Sequence, residues 1–330
     1  MLRRLNARTE RWPLSRPFRI SRGVKTAADV VVVELRDGGH IGRGESVPYA
    51  RYGESVDSVL AQIASISSAM ESGLTRADLQ PALSAGAARN AVDCALWDLE
   101  AQQSGRSVAE LAGLPTPGEI ITAVTVSLDA PVRMAEAAGA MSASPLIKVK
   151  VDANDPLAIV EAVRNAAPGA RLIVDPNESW TPQLLIELLP RLAALRVDLI
   201  EQPIPAAEDA ALENLRSPVP ICADESAHTS ADLDRVARLY QAVNIKLDKT
   251  GGFTEALAMR QRARELGLTV MVGCMVSTSL GVAPALLFAD GAAFVDLDGP
   301  WWLAQDREHG MIFRDGRMTA PRGGWGERRA

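Results

Sequence analysis

Short apolar runs recur along the chain from about residue 120, and each has the length of a β-strand. Amphipathic segments such as GGFTEALAMRQRARELG separate them, with apolar positions at helical spacing. The eight runs are IITAVTV near 120, LIKVKV at 146, RLIVD at 171, VDLIE at 197, PICAD at 220, AVNIK at 242, LTVMVG at 268 and AAFVDL at 292. Strands that alternate with helices in this way predict a closed parallel barrel rather than an open sheet. Because Gly299 and Pro300 follow the last run in place of a helical pattern, we predict an α/β protein with a (β/α)7β TIM-like barrel.

The residues before this region have a different pattern. DVVVVEL followed by RDGGH predicts a strand that enters a hairpin. ARNAVDCALWDLEAQQSG predicts a helix that Gly105 caps at its C-terminus. We therefore predict an N-terminal α+β domain over residues 1–119, the barrel over residues 120–302, and a Trp-containing tail over about residues 303–330 that packs back on the N-terminal domain.

Composition narrows the functional classes. The 330 residues carry a formal net charge of −6 without a long basic run, so we expect no nucleic-acid or anionic-membrane partner. The N-terminus has basic residues but no apolar segment behind them, and no run of about 18 apolar residues occurs. The three cysteines, Cys94, Cys222 and Cys274, are widely spaced, which is typical of a reducing compartment. We expect a cytoplasmic protein that acts on a small molecule.

Charged residues stand where the predicted strands end, and barrel enzymes build their active sites at those ends. An Asp after an apolar run is, taken alone, more often a helix cap or turn residue than a ligand. Three acids that end three consecutive strands would repel one another unless a cation lay between them. All-carboxylate ligation suits a hard ion, most simply Mg²⁺. The strand-end residues are Lys148 and Lys150, Asp175, Glu201, Asp224, Lys246, and the pair Asp296 and Asp298.

The lysines suggest the chemistry. Lys148 and Lys150 are two apart, so both side chains should lie on one face of their strand. Strands 2 and 6 of an eight-stranded barrel lie opposite each other, which places Lys150 and Lys246 across the metal. This arrangement suits removal of a proton from one face of a carbon and its return on the other. A neighbouring ammonium and a divalent cation both lower a lysine's pKa, so Lys148 is expected to tune Lys150, and the ion to stabilise the enediolate.

These motifs resemble those of the enolase superfamily, in the muconate lactonizing enzyme subgroup. The matching elements are KVK (148–150), DPNESW (175–180), EQP (201–203), ADES (223–226) and NIKLDKTGG (244–252), and the N-terminal part resembles the capping domain. The superfamily uses a Lys or His base with Mg²⁺. The resemblance implies Mg²⁺ ligands Asp175, Glu201 and Asp224, acid/base catalysts Lys150 and Lys246, and Asn177 and Glu225 beside the ligands. It implies that Lys148 is an auxiliary amine that contacts the substrate carboxylate or lowers the pKa of its neighbour.

Two positions in these motifs bear on the assigned roles, Lys246 and Pro176. Lys246 ends its strand, so the catalytic role is assigned to it and Lys249 is left to the loop. Pro176 stands where the family usually has Ala and removes a backbone N–H just after a ligand. We expect a tolerated change, with Asn177 keeping its place beside the metal ligand.

Strand 8 refines the resemblance. FVDLDGP is similar to the D-x-D signature of dipeptide epimerases, in which two acids bind the substrate's α-ammonium. The alternative for Asp298 is an Asx-type turn into Gly299 and Pro300. GAARNAVDCALWDL and RYGES resemble segments of L-Ala-D/L-Glu epimerases of murein-peptide recycling. This implies a second substrate carboxylate, for which Arg22 is the candidate, with Arg19 and Arg51 as competitors. Thr125 is a candidate contact to the substrate backbone, with a plain core role as its alternative.

Two other functions stay open on the sequence. The o-succinylbenzoate synthases resemble this scaffold and use the same paired lysines, but they need no ammonium-binding acids. A non-catalytic barrel that binds a metal or an acidic ligand would not need lysines on opposite strands. The resemblance also implies a homo-oligomer.

Overall fold

The computed structural model describes residues 3–320 and 323–327. Its strands form three sheets, with orders β1-β2-β3, β5 through β12, and β13-β14-β4. The strands are β1 (Arg4–Ile20), β2 (Gly23–Asp37), β3 (His40–Ser46), β4 (Ile120–Ile121), β5 (Val124–Val126), β6 (Leu146–Lys150), β7 (Arg171–Asp175), β8 (Leu199–Glu201), β9 (Ile221–Ala223), β10 (Ala242–Ile245), β11 (Thr269–Gly273), β12 (Phe294–Asp296), β13 (Ile312–Arg314) and β14 (Arg317–Thr319).

Helices cover the sheets, and short 3₁₀ turns replace them in places. The α-helices are α1 (Val56–Ser65), α2 (Ser67–Glu71), α3 (Arg76–Ala82), α4 (Ala87–Ser104), α5 (Val108–Ala112), α6 (Pro131–Ala140), α7 (Pro156–Ala166), α8 (Pro182–Ala194), α9 (Leu233–Leu239), α10 (Leu247–Thr250), α11 (Phe253–Glu265) and α12 (Ser279–Phe288). The connection after β8 contains a 3₁₀ segment over Ala206–Leu212. No helix of residues 3–320 or 323–327 is long and apolar enough to cross a membrane.

The N-terminal part is an antiparallel sheet packed against a long helix. The predicted strand and helix are both present, and Gly105 caps α4 in a left-handed conformation with φ 65°. The sheet and α4 approach closely because β3 carries glycine where they touch. A Cβ on Gly42 would lie 2.1 Å from Ala95 O, and one on Gly44 would lie 2.1 Å from Ala91 O. Any larger residue at either position would force the sheet and helix apart.

The eight predicted barrel strands are all present, and neighbouring strands run parallel. Ala123 N donates a hydrogen bond to Val295 O at 2.7 Å, which joins the first strand to the last and closes the barrel. Apolar side chains fill the amino-terminal end of the barrel, and each strand, or the residue just before it, contributes one. These are Ala123, Leu146, Ile173, Leu199, Cys222, Ala242, Met271 and Phe294. The opposite, carboxyl end is left for polar side chains.

The first run of the barrel divides between two sheets. Ile120 and Ile121 pair with β14, and only Val124–Val126 enters the barrel. Between them, Thr122 N donates to Gly316 O and Thr122 Oγ1 accepts from Leu297 N, so the chain crosses from one sheet to the other. A short 3₁₀ turn over Gly299–Trp302 follows β12 where the sequence predicted no long helix.

The tail contacts the N-terminal part. Trp325 Nε1 donates to Arg43 O at 2.8 Å, and Val108 N donates to Gly326 O at 2.8 Å. The antiparallel N-terminal sheet, which the tail contacts at Arg43, and the barrel thus agree with the predicted fold class. The boundary at residue 119 stays a prediction, and residues 1–2, 321–322 and 328–330 of the predicted domain and tail lie outside the described residues.

Candidate active site

A cavity of about 510 Å³ opens at the carboxyl end of the barrel, beneath the turn between β1 and β2 and beside residues 49–52. Most of the predicted site residues line it: Arg22, Thr125, Lys148, Lys150, Asn177, Asp224, Glu225, Lys246, Asp296 and Asp298. Asp175 and Glu201 lie fully buried just below and bind lysines of the wall. A larger cavity, of about 840 Å³, lies between the N-terminal sheet and the tail, but its Arg8, Arg43 and Glu34 pair with one another.

The lysines of β6 both project into the barrel, as their spacing predicted. Ile147 and Val149, on the opposite face, pack into the core under the helices. Lys148 Nζ lies 2.6 Å from Glu201 Oε2, 3.0 Å from Asp175 Oδ2 and 2.8 Å from Asp296 Oδ2. Burial disfavours this ammonium, but these acids outweigh burial and hold the pKa of Lys148 well above its usual value. Lys148 is therefore surrounded by carboxylates.

Lys150 and Lys246 each bind the carboxylate that ends a neighbouring strand. Lys150 Nζ donates to Asp175 Oδ2 at 2.6 Å and to Asn177 Oδ1 at 3.1 Å. Lys246 Nζ donates to Asp224 Oδ2 at 2.6 Å and lies 3.7 Å from Glu201 Oε1. Burial alone would lower the pKa of Lys246, but Asp224 and Glu201 raise it above its usual value. The two amines enter the cavity from the second and sixth strands of the barrel.

The three predicted metal ligands form a chain through the lysines. Asp175 and Glu201 share Lys148, and Glu201 and Asp224 share Lys246. Burial opposes ionisation of all three carboxyls, yet the lysines hold the pKa of Asp175 and of Asp224 below the usual range. Burial and the adjacent Asp175 instead raise the pKa of Glu201. Three acids packed this closely require positive charge between them, and lysine ammonium groups supply it.

The donor set fits a hard divalent cation. All three side chains are carboxylates, the ligands that such ions prefer. Among the described residues, Glu201 Oε2 and Asp224 Oδ1 lack a hydrogen-bond partner, although each lies within 2.7 Å of a lysine nitrogen. Within residues 3–320 and 323–327 no three acids, cysteines or histidines are already drawn around one point. The fit rests on donor chemistry and on these two oxygens.

Asp296 and Asp298 reach the same cavity from the end of β12. Asp298 Oδ2 accepts from Thr125 N at 2.8 Å and from Trp302 Nε1 at 3.2 Å, and its side chain does not cap the turn that follows. Burial and Asp296 raise the pKa of Asp298 to about 6. Asp296 Oδ1 is buried and has no hydrogen-bond partner among the residues that the structure describes. The backbone N–H of Thr125 thus positions Asp298, and Asp296 Oδ1 is available to accept a hydrogen bond from a ligand.

Arg22 joins the N-terminal part to the barrel. Its guanidinium donates to Glu225 Oε1 at 2.6 Å, to Asn177 O at 2.8 Å and to Glu178 Oε2 at 3.1 Å. Burial and the adjacent Asp224 raise the pKa of Glu225 to about 7. Arg51 forms a two-point pair with Glu178 at 2.7 Å. Both arginines therefore close the cavity mouth.

Asn177 keeps the expected place despite Pro176. Its backbone N donates to Asp175 Oδ1 at 2.9 Å, and its side chain accepts from Lys150. The residue adopts a left-handed conformation, with φ 48°, which Asn tolerates better than most residues. Arg19, the other competitor for the substrate, is exposed and does not line the cavity.

Comparison with known proteins decides the family. Residues 130–328 match the family model described as enolase C-terminal domain-like, and residues 3–113 match the N-terminal domain of mandelate racemase / muconate lactonizing enzyme. The chain belongs to the enolase superfamily. Superfamily membership agrees with the motifs KVK, DPNESW, EQP, ADES and NIKLDKTGG.

Its relatives within the superfamily are epimerases and racemases. The chain is 50% identical over 311 residues to L-Ala-D/L-Glu epimerase of Escherichia coli, covering 94% of this chain and 97% of the relative. It is 48% identical to N-acetyl-D-glutamate racemase of a Pseudoalteromonas species, covering 88% and 92%. The protein is accordingly an isomerase that acts on amino acid derivatives.

Solved enolase-superfamily structures agree with the fold. An enolase family member from Agrobacterium tumefaciens with homology to dipeptide epimerases, with bound sodium and L-Ala-L-Glu, superposes with a TM-score of 0.95 at 50% identity and covers 97% of this chain and 98% of its own. The dipeptide epimerase of Enterococcus faecalis V583, complexed with Mg and L-Leu-L-Tyr, superposes with a TM-score of 0.91 at 27% identity and covers 99% of each chain.

Three residues that contact the predicted metal ligands were not predicted from the sequence to be part of the site. Asn244 Nδ2 donates to Glu201 Oε1 at 2.9 Å. Gln202 Oε1 accepts from Asp224 N at 2.9 Å and so fixes the next strand end. Lys249, assigned to the loop, lies fully buried with Nζ 2.7 Å from Asp224 Oδ1. The polar residues inside AVNIK and beside Glu201 in EQP were the available signals.

Proposed function

We propose that this protein is a Mg²⁺-dependent dipeptide epimerase that interconverts L-Ala-L-Glu and L-Ala-D-Glu. The observation that carries the proposal is the placement of Lys150 and Lys246 on the second and sixth strands, each bound to a carboxylate of the same chain of acids. The epimerase of Escherichia coli and the dipeptide-bound structure from Agrobacterium tumefaciens support the substrate class.

The proposed metal ligands are Asp175, Glu201 and Asp224. The dipeptide epimerase of Enterococcus faecalis crystallised with Mg supports Mg²⁺ as the ion. When bound, Mg²⁺ would stabilise the negative charge that builds on the substrate's terminal carboxylate and would favour the neutral form of nearby lysines. Lys148, already among these acids, is placed to contact that carboxylate, while Asn177 and Glu225 orient Lys150 and Arg22.

Two lysines perform the proton transfer in this proposal. One of Lys150 and Lys246 removes the α-proton of the C-terminal residue, and the other delivers a proton to the opposite face. Asn177 Oδ1 accepts a second hydrogen bond from Lys150 beside the bond to Asp175, so these two residues fix the position of the amine in the cavity wall. The product then has the inverted α-carbon with no net change in composition.

In this proposal, Asp296 and Asp298 at the end of β12 bind the amino-terminal end of the substrate. A dipeptide carries a free α-ammonium, and Asp296 Oδ1 is a buried acceptor without a hydrogen-bond partner in the described part of the chain. Asp296 pairs with Lys148 through Oδ2, while no cation of the described residues forms an ion pair with the buried Asp298, so a substrate ammonium suits this end of the cavity better than a neutral amide. Asp296 and Asp298 therefore favour a dipeptide over both an N-acetylated amino acid and o-succinylbenzoate chemistry.

N-acetyl-glutamate is the second candidate substrate, because a 48% identical relative is an N-acetyl-D-glutamate racemase. It shares the glutamyl carboxylates and the inverted carbon with L-Ala-L-Glu but lacks the ammonium. We further propose a role in murein-peptide recycling in the cytoplasm, which the free thiols at Cys94, Cys222 and Cys274 support, and assembly as a homo-oligomer.

The decisive test is proton NMR in D₂O with Mg²⁺, using L-Ala-L-Glu and N-acetyl-L-glutamate in parallel. We expect loss of the glutamyl α-proton signal and appearance of L-Ala-D-Glu, both abolished by EDTA. Faster exchange of N-acetyl-glutamate than of the dipeptide would reject the dipeptide assignment. No exchange of either would reject the proposed function.

A further inference from the structure

Strand β1 interrupts its pairing with β2 where it meets the chain that leaves the barrel's last strand. The register breaks between Pro13 and Phe18, and residues 14–17 stand opposite a single residue of β2. A bulge of this kind bends a strand and re-aims its side chains. Three contacts join it to the residues that follow β12: Ala304 N donates to Pro13 O at 2.9 Å, Leu14 forms a bridge with Leu303, and Ser15 Oγ donates to Trp302 O at 3.1 Å. The bulge therefore holds the chain just after Asp298.

Arg16, inside the bulge, lies on the two tryptophans of that chain. Its Cζ is 4.3 Å from the centre of the Trp301 ring and 4.5 Å from the centre of the Trp302 ring. Both distances are within the range of an attractive contact between a cation and an aromatic face. Arg16 forms no ion pair or side-chain hydrogen bond with any residue of 3–320 or 323–327, so the rings are the groups that hold its guanidinium. A planar guanidinium is suited to such stacking.

Trp302 connects this cation to Asp298. The Trp302 side chain is only 1% exposed, and its ring packs edge-on against Phe18 with the ring centres 4.6 Å apart. Its indole Nε1 donates to Asp298 Oδ2 at 3.2 Å. A cation on the face of the ring withdraws electron density from the indole, which makes its N–H a stronger donor to a carboxylate. Partial burial lowers the pKa of Arg16, and Asp298 is the acid that opposes this effect.

The other groups that face Asp298 leave its negative charge poorly compensated. Asp296 on the same strand repels it, and Lys148 pairs with Asp296 rather than with Asp298. Cys274, just after β11, is a neutral thiol because burial raises its pKa, and β5 supplies only neutral donors, from Thr125. Burial and Asp296 raise the pKa of Asp298 to about 6, so a modest additional effect of a cation changes its ionised fraction near neutral pH.

We propose that Arg16 is a positioning residue that acts through the Trp302 indole to keep Asp298 ionised and oriented for the substrate's α-ammonium. The inference rests on the proposed function, in which the acids at the end of β12 bind that ammonium. Arg16 does not line the cavity, so it supports the charge of Asp298 without occupying the place of the substrate. A cation inside the cavity would instead compete with the ammonium for the same carboxylate.

The first test follows the indole N–H of Trp302 by ¹H–¹⁵N NMR of the Mg²⁺-loaded, ¹⁵N-tryptophan-labelled protein as the pH is varied. Trp302→Phe assigns the signal, because it removes that N–H and keeps an aromatic ring. We expect the wild-type signal to titrate with a midpoint at the raised pKa of Asp298, about 6. Loss of a nearby cation raises the pKa of a carboxyl, so Arg16→Met should move the midpoint upward by about 0.5 pH unit. Arg16→Lys keeps the charge and should restore most of the wild-type midpoint.

The second test measures the pH dependence of kcat and KM for L-Ala-L-Glu with the same variants. Protonated Asp298 binds an ammonium poorly, so the acid side of the kcat/KM profile should move by the same amount in Arg16→Met. Below the midpoint, this shift corresponds to about a threefold loss of kcat/KM. The loss should lie in KM, with kcat unchanged within about twofold, because the ammonium is remote from the carbon that is inverted.

Arg11→Met is the matched control, because it removes the same charge from β1 at an exposed pair with Asp29. It should leave both the NMR midpoint and KM unchanged. An unchanged midpoint in Arg16→Met, or an equal shift in Arg11→Met, would overturn the inference. A shifted midpoint without a change in KM would also overturn it, because Asp298 would then not bind the ammonium. If the wild-type chain does not epimerise L-Ala-L-Glu, the proposed function fails, whereas the NMR midpoints still decide whether Arg16 acts on Asp298.

Discussion

Replacing Asp248 with asparagine should stabilise the protein relative to the wild type, and this advantage should be larger at alkaline than at acidic pH. Asp248 lies in α10, and its Oδ1 accepts hydrogen bonds from Val47 N at 2.9 Å and from Asn90 Nδ2 at 2.9 Å. Burial raises the pKa of this carboxyl to about 7, and Glu54 and Glu45 contribute further. An asparagine Oδ1 can accept the same two bonds, so Asp248→Asn mainly removes a buried charge.

The direction of the pH dependence of stability follows from the raised pKa of Asp248. In the unfolded chain the carboxyl ionises with a pKa of about 3.9, so between pH 4 and 7 the folded state holds a proton that the unfolded state has released. Wild-type stability therefore falls as the pH rises through this window. Each pKa unit corresponds to about 1.4 kcal/mol. The raised pKa of Asp248 therefore destabilises the folded wild type by at most about 4 kcal/mol at pH 8 and about 1.5 kcal/mol at pH 5.

The measurement is urea unfolding of both proteins at pH 5 and pH 8, with EDTA present so that metal binding does not contribute. The stability advantage of Asp248→Asn should grow by about 2 to 3 kcal/mol between the two conditions. Glu213→Gln, at an exposed carboxylate, is the control and should show no such growth. An equal difference at both pH values, or a wild type that is the more stable at pH 8, would refute the reasoning.

Three further predictions concern the site. Lys150→Ala and Lys246→Ala should each stop epimerisation of L-Ala-L-Glu while one stereoisomer can still exchange its α-proton with D₂O; retained epimerisation in either variant contradicts the two-base assignment. Asp224→Asn should weaken Mg²⁺ binding about 10- to 100-fold in isothermal titration calorimetry, by analogy with the loss expected when groups holding a metal are altered, and an unchanged affinity would reject Asp224 as a ligand. Lys249→Met should lower the free energy of unfolding by about 3 to 5 kcal/mol in denaturant titration, because it strands the buried Asp224 Oδ1 and the carbonyl of Asn244, and a loss below about 1 kcal/mol would argue against that pairing.

The barrel and the strand-end residues could be predicted because a parallel barrel converts sequence spacing into position. A polar residue at the end of each apolar run must lie at the same rim of the barrel, so the sequence alone groups Asp175, Glu201 and Asp224. The same rule of alternation placed both Lys148 and Lys150 inside. Their partners, however, depend on side-chain reach across the barrel, which spacing does not encode.

Loop geometry explains what the sequence did not reveal. Lys249 returns under Asp224 because α10 is a four-residue turn that ends at Gly251 with φ 72°. No periodic pattern describes that reversal, so the residue read as part of a loop. The division of IITAVTV between two sheets has the same origin, since it depends on contacts of Thr122 with Gly316 and Leu297, which are distant in the sequence.

The pairing of charges also bears on how lysines could act as bases near neutral pH. In the structure described, carboxylates hold the pKa of Lys148 and of Lys246 above the usual value, which is unsuitable for removing a proton. The charge balance would change once a divalent cation bound Asp175, Glu201 and Asp224, because the same acids would then no longer neutralise the ammonium groups. The three acids would then couple metal binding to the basicity of Lys150 and Lys246. Under the proposed function, metal removal should therefore abolish proton exchange as well as substrate binding. Proton exchange that persists in EDTA would refute the coupling between metal binding and proton transfer.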